Sequence, residues 1–66
     1  MQGIVKWFSP ERHYGFITGE DKKDYFFHSS EVQGDNGKIF EGDEVEFIAE
    51  ETKKGFQALK VVIKNS

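Results

Sequence analysis

The sequence predicts an all-β protein, with five strands closing into a small antiparallel barrel. Three observations carry that prediction. Short runs rich in β-branched and aromatic residues alternate with glycine, proline and charged clusters, which is the spacing of strands and turns. No stretch sustains the period of an amphipathic helix. Finally, 66 residues arranged as five strands hide their sheet edges best by closing the sheet on itself. A chain of this length has room for one core, so residues 1–66 are expected to be a single domain.

The first strand is predicted over residues 3–8, Gly3-Ile4-Val5-Lys6-Trp7-Phe8. It stops at Ser9-Pro10, where proline removes a ladder donor and its fixed φ favours a turn. The second strand is predicted over 14–18. Residues 19–23 are polar and open with glycine, which reads as a hairpin loop. The third strand covers 24–28, Asp24-Tyr25-Phe26-Phe27-His28. Ser29-Ser30-Glu31-Val32 is expected to make one helical turn with a serine cap. A glycine- and charge-rich connection over 34–42 contains the apolar pair Ile39-Phe40. The fourth strand is predicted over 44–49, a charged loop over 50–55 and the fifth strand over 56–63. The order is therefore a meander of three strands, a long connection, and two more.

Successive side chains in a strand face opposite ways. In the fourth predicted strand Val45, Phe47 and Ala49 alternate with glutamates, and in the fifth Leu59, Val61 and Ile63 oppose Ala58, Lys60 and Lys64. The apolar sets are the expected core, together with Phe40. The second and third strands carry apolar residues on both faces, yet only one face can line so small a barrel. Ile17, Tyr25 and Phe27 make the interior set. Tyr14, Phe16, Phe26 and His28 are then left together on the exterior, flanked by Asp24. Trp7 and Phe8 are neighbours, so a regular strand opposes them; a bulge or bend in the first strand brings both toward the outer surface.

Composition narrows the function. The absence of cysteine excludes a disulfide-stapled mini-protein and a cysteine-based zinc site. No apolar run approaches the roughly 20 residues that cross a bilayer, and Met1 leads directly into a strand-like pattern without a basic-then-apolar leader. A cytoplasmic location is expected, with no membrane partner. Seven Phe, two Tyr and one Trp are a large complement of rings for a core this small, so rings left outside are expected to serve a ligand. The net charge of −3 disfavours an extensive phosphate footprint. Stacking works differently. Every nucleobase has a π-face, and a ring platform stacks unpaired bases at about 1–3 kcal/mol each. Lys6, Arg12, His13, His28, Lys38 and Lys53 stand near the borders of the predicted ring cluster, where a few cations suffice to steer a backbone. Duplex bases are already stacked on one another, so unpaired strands are the expected ligand.

Other classes fit less well. His13 and His28 lack a ligand set at zinc spacing, and no nucleophile is paired with a base. A small metal-dependent nuclease built on Asp21, Asp24 and a histidine is the enzyme alternative. The chain is instead expected to be a non-enzyme without metal, cofactor or small-molecule substrate. A small adaptor barrel binding peptides through its aromatic surface is the remaining alternative; the histidine and basic border suit a nucleic-acid backbone better. Glu44, Glu46, Glu50 and Glu51 read as a solvated face that repels nucleic acid from the back of the barrel. Lys53-Lys54 reads as a charged loop, with a phosphate contact as the alternative.

Gly3-Ile4-Val5-Lys6-Trp7-Phe8 followed by Tyr14-Gly15-Phe16-Ile17 resembles the opening of a cold-shock domain, including its first RNA-binding motif. Tyr25-Phe26-Phe27-His28 resembles the second such motif, and Glu41-Gly42-Asp43-Glu44-Val45-Glu46-Phe47 and Gly55-Phe56-Gln57-Ala58 resemble the fourth strand and the start of the fifth. The resemblance covers residues 2–63, apart from a length difference in the 34–42 connection. It implies a five-stranded antiparallel OB-fold barrel that binds single-stranded RNA and DNA and acts as a nucleic-acid chaperone. On the ligand face it puts Lys6, Trp7, Phe8, Tyr14, Phe16, Phe26 and His28, with Asp24 accepting hydrogen bonds from a base edge and Gln57 near the rim. Arg12 keeps the charge of the family's lysine there, and Lys38 is a further expected contact. His13 replaces a turn glycine, so the turn must adapt; histidine tolerates positive φ moderately well. Ser29 stands where the family commonly has an aromatic residue, and Phe56 where it often has proline, which makes Phe56 a candidate partial replacement. A smaller platform and weaker binding than in a full-complement member are expected, in a monomer.

Overall fold

The computed structural model describes residues 1–33 and 39–64. Five strands are present: β1 (Gln2–Ser9), β2 (Tyr14–Gly19), β3 (Asp24–His28), β4 (Glu44–Thr52) and β5 (Gly55–Ile63), with one 3₁₀ turn over Ser29–Glu31 after β3. They close into a barrel in the order β1-β2-β3-β5-β4. The β1–β2 and β2–β3 pairs form the predicted meander, β4–β5 is a hairpin, and β4 returns antiparallel to β1. The barrel closes on the other side through a parallel contact, Phe26 of β3 against Gln57 of β5. The predicted all-β barrel is therefore the fold. Among the described residues no helix is long and apolar enough to cross a membrane.

The turn after β1 is held at Ser9, whose carbonyl accepts the N–H groups of Arg12 (3.2 Å) and His13 (2.9 Å). His13 adopts φ +63°, the left-handed conformation this turn requires. Gly15 stands second in β2 for a packing reason. A β-carbon there would lie 2.9 Å from the Phe8 Cα and 3.0 Å from the Phe27 ring, and closer still to the Trp7 carbonyl oxygen. Any side chain would push β1 off β2.

The core is Val5, Ile17, Tyr25, Phe27, Val32, Ile39, Val45, Phe47, Ala58 and Val61, with Phe8, Phe56 and Ile63 packed at its edge. The predicted interior set of β2 and β3 is buried. Elsewhere several expectations need correction. Ala58, and not Leu59, is buried. Glu46 pairs with Val62 but Ile48 pairs with Leu59, so β5 has an extra residue opposite Phe47. Lys60 sits in that bulge at φ +51°, and one extra residue exchanges the faces of everything before it. Ala49 is exposed because β1 pairs only with Glu44–Glu46; beyond that stretch β4 has no β1 neighbour to cover it. Phe40 is 66% exposed while Ile39 is buried. The carboxylate of Asp43 accepts the Phe40 N–H, and the Phe40 carbonyl accepts the Asp43 N–H. That turn commits Ile39 inward and its neighbour outward.

Two further differences concern turns. The cap of the 3₁₀ turn is not a serine: His28 Nδ1 accepts the Ser30 N–H. The predicted charged loop over 50–55 shortens to Lys53-Lys54, because β4 continues to Thr52 and β5 starts at Gly55. Thr52 Oγ1 donates to the Gly55 carbonyl and accepts the Lys54 N–H, while Gly55 supplies φ +131°.

Candidate nucleic-acid interface

The site begins with a bulge in β1. Val5 pairs with Ile17, but Trp7 pairs with Phe16, so one extra residue of β1 lies between them. Trp7 turns outward beside Lys6 and is 38% exposed. The bulge was expected, but it does not carry both rings out. Alternation resumes after it, so Phe8 turns toward the space above Gly15 and stacks on buried Phe27, centroids 5.6 Å apart and planes 13° apart. Phe8 is half-buried at the edge of the core.

On β2 and β3, Phe16 pairs with Phe26 and Tyr14 with His28. Partners share a face, so four of the predicted exterior side chains come together with Trp7. Trp7 lies 5.6 Å from Tyr14 and 6.3 Å from Phe16; Tyr14 and Phe16 lie 5.5 and 5.9 Å from Phe26. The pairs are tilted or edge-on, and Phe16 and Phe26 are each 36% exposed. His28 continues the cluster past Tyr14, with Arg12 and His13 exposed in the adjacent turn.

Charges around the rings are partly engaged. Lys6 Nζ lies 2.9 Å from Asp24 Oδ2, with both side chains about half exposed, a geometry worth about 0–1 kcal/mol. Thr18 Oγ1 donates to the other Asp24 oxygen at 3.4 Å. The predicted phosphate contact and the predicted base acceptor thus neutralise one another in the free protein. Away from the rings, the Tyr25 hydroxyl donates to Asp21 at 2.6 Å. That bond holds the Asp21 carboxyl below its usual range and pushes the Tyr25 hydroxyl up to about 12.

A groove of about 660 Å³ runs from Phe16 and Phe26 to the β4–β5 turn, where Lys53, Lys54, Phe56 and Gln57 line it. Gln57 donates to Glu50 at 2.8 Å. Phe56 is half-buried, 5.6 Å from the Tyr25 ring, and Lys23 Nζ lies 4.7 Å over it, so part of this ring is already covered. The sequence reads Lys53-Lys54 as a charged loop with a phosphate contact as the alternative; a loop predicted too long hid that the pair lines a groove beside the rings. Lys38 lies outside the described residues. Among the described residues no group of three or more His, Asp or Glu side chains is placed to hold a metal ion.

A closed five-stranded barrel in this order, with rings clustered outside its meander, defines the class of small OB-fold proteins. Comparisons narrow it further. The family model described as 'Cold-shock' DNA-binding domain matches residues 1–64. Cold shock protein 1 of Lactiplantibacillus plantarum is 49% identical over 61 residues, covering 91% of this chain and 92% of its own. The cold shock-like protein CspI of Escherichia coli K12 is 48% identical over 64 residues, covering 94% and 91%. Among solved structures, drosophila Unr CSD456 superposes with a TM-score of 0.79 at 29% identity, over 98% of this chain and 27% of that longer one. The chain belongs to the cold-shock domain family, a nucleic-acid-binding and non-enzymatic family.

Proposed function

We propose that this chain, acting over residues 1–66 as one monomeric domain, binds single-stranded RNA and DNA in the cytoplasm and serves as a nucleic-acid chaperone. The observation that carries this reading is the contiguous group of rings of Trp7, Tyr14, Phe16 and Phe26, with Tyr14 half-buried and the other three exposed. A fold of this size gains more by burying such rings than by displaying them. Unpaired bases stack on these rings and on His28, with Phe8 at the edge. Three stacked bases contribute about 3–9 kcal/mol before ordering costs. An acidic protein therefore does not depend on many ion contacts. Arg12, Lys38 and Lys6 meet phosphates, Lys6 after leaving Asp24, and Asp24 accepts from a base edge. Gln57 and the uncovered part of Phe56 meet the strand where it passes into the groove. Occupied bases are withheld from pairing, so RNA secondary structure is discouraged without any bond-making step. The same withholding gives a route to regulating transcription or translation.

A proline-rich peptide is the competing ligand for an aromatic surface. Lys53 and Lys54 beside the groove favour a polyanion. Titration with hexathymidine, followed by quenching of Trp7 fluorescence, tests the reading. Saturable quenching that a proline-rich peptide does not displace is expected; no quenching, or displacement by the peptide, overturns it.

A further inference from the structure

His13 takes no part in the contacts assigned above, yet it is held where a side chain is seldom placed. Its φ of +63° is the left-handed conformation, which histidine adopts more readily than most residues bearing a β-carbon. Its backbone is fastened at both ends. The N–H donates to Ser9, and the carbonyl accepts the Ser29 N–H at 2.8 Å. That second bond ties the β1–β2 turn to the residue following His28. The result is two exposed imidazoles facing one another, with centroids 6.3 Å apart and planes 29° from parallel.

That separation is near the far end of the range for ring–ring pairing. Bases in a stacked strand succeed one another about every 3.4 Å, so a base held between two rings needs them about 6.8 Å apart. The two rings also differ in freedom. His28 is fixed, because its Nδ1 accepts the Ser30 N–H at 3.1 Å and lies 2.9 Å from Ser30 Oγ. With Nδ1 accepting, the proton of the neutral ring is on Nε2. His13 has no hydrogen bond to its imidazole among the described residues, and it rides on a turn. Opening by a few tenths of an ångström asks for movement of one exposed ring. His28 is also the cross-strand partner of Tyr14, so the gap continues the line of rings.

We propose that His13 and His28 form a slot that takes one unpaired nucleobase between their imidazoles and adds one nucleotide to the footprint at the β1–β2 turn. This rests on the single-strand reading above. The test compares the parent protein, His13→Gly, His13→Asn and Phe26→Ala against oligothymidines lengthened one nucleotide at a time. Gly and Asn both accept positive φ, so the thermal midpoint is expected to hold. The parent should gain about tenfold in affinity at one step of length, and both His13 variants should lose that step. In the parent, the ring-proton resonances of His13 and His28 should both move upfield on adding oligonucleotide. Variants matching the parent within about twofold at every length, with Phe26→Ala weakened, overturn the slot alone. Movement of the His28 resonances without those of His13 does the same. A parent that binds no oligonucleotide overturns the single-strand reading and the slot with it.

Discussion

Phe26 and Phe27 are adjacent in sequence and opposite in fate, one ring 36% exposed and the other fully buried. Phe27→Ala leaves a cavity and should cost about 3–5 kcal/mol. Phe26→Ala removes contacts with neighbouring surface rings and should cost about 1–2 kcal/mol. The same change should lower oligonucleotide affinity by about tenfold or more. Denaturant titration and fluorescence quenching on both variants check this; equal loss of stability in the two would mean that Phe26 belongs to the core. The Tyr25–Asp21 bond makes a prediction in pH. Tyr25 is raised from 10.0 to about 12, so its contribution is complete below pH 10 and is lost as pH rises through about 12. Asp21 is lowered from 3.8, so its contribution is present above that value and is lost as pH falls further. Tyr25→Phe should flatten both arms of a stability–pH profile, most visibly the alkaline one.

At the level of strands, the number, the order and the limits of β3 follow directly from alternating apolar runs and glycine or proline punctuation. The exterior set Tyr14, Phe16, Phe26 and His28 was also legible, because two strands with apolar residues on both faces leave one face outside. Apart from the β1 bulge, features that depend on a partner strand were not. The Lys60 bulge exists through the mismatch between β4 and β5, and no local signal in Leu59-Lys60-Val61 marks it. The true length of the β4–β5 hairpin was hidden for a related reason. A run of Glu, Thr and Lys resembles a loop until a second strand pairs with it, and the place of Lys53 and Lys54 beside the groove was hidden with it. Gly15 tests the β1–β2 contact. Gly15→Ala should cost about 1–3 kcal/mol through overpacking, and it should shift the Trp7 emission as β1 moves away. A thermal midpoint and spectrum matching the parent's would contradict the close approach.

For the molecule as a whole, charge is a matter of distribution more than of sum. The net charge is −3, yet Arg12, Lys53 and Lys54 border the ring face and its groove, while Lys6 is held by Asp24. With Arg12, Lys38 and Lys6 engaging phosphates, a plot of log affinity against log salt for a single strand should have a slope of about −2, at about −0.7 per phosphate. Asp24→Asn should leave that slope unchanged, because Lys6 already meets a phosphate in the complex, while changing stability by less than about 1 kcal/mol. A steep slope in the parent would move the weight of binding from rings to ions.

The parallel join between Phe26 and Gln57 is the narrowest ladder in the barrel wall, and both residues also line the groove. A guest lying there straddles the place where the cylinder is least stitched. A strand bound there would touch β3 and β5 together and so brace the join. Hydrogen exchange should register this first at the amides flanking that seam, which slow before those of the β1–β2 ladder do.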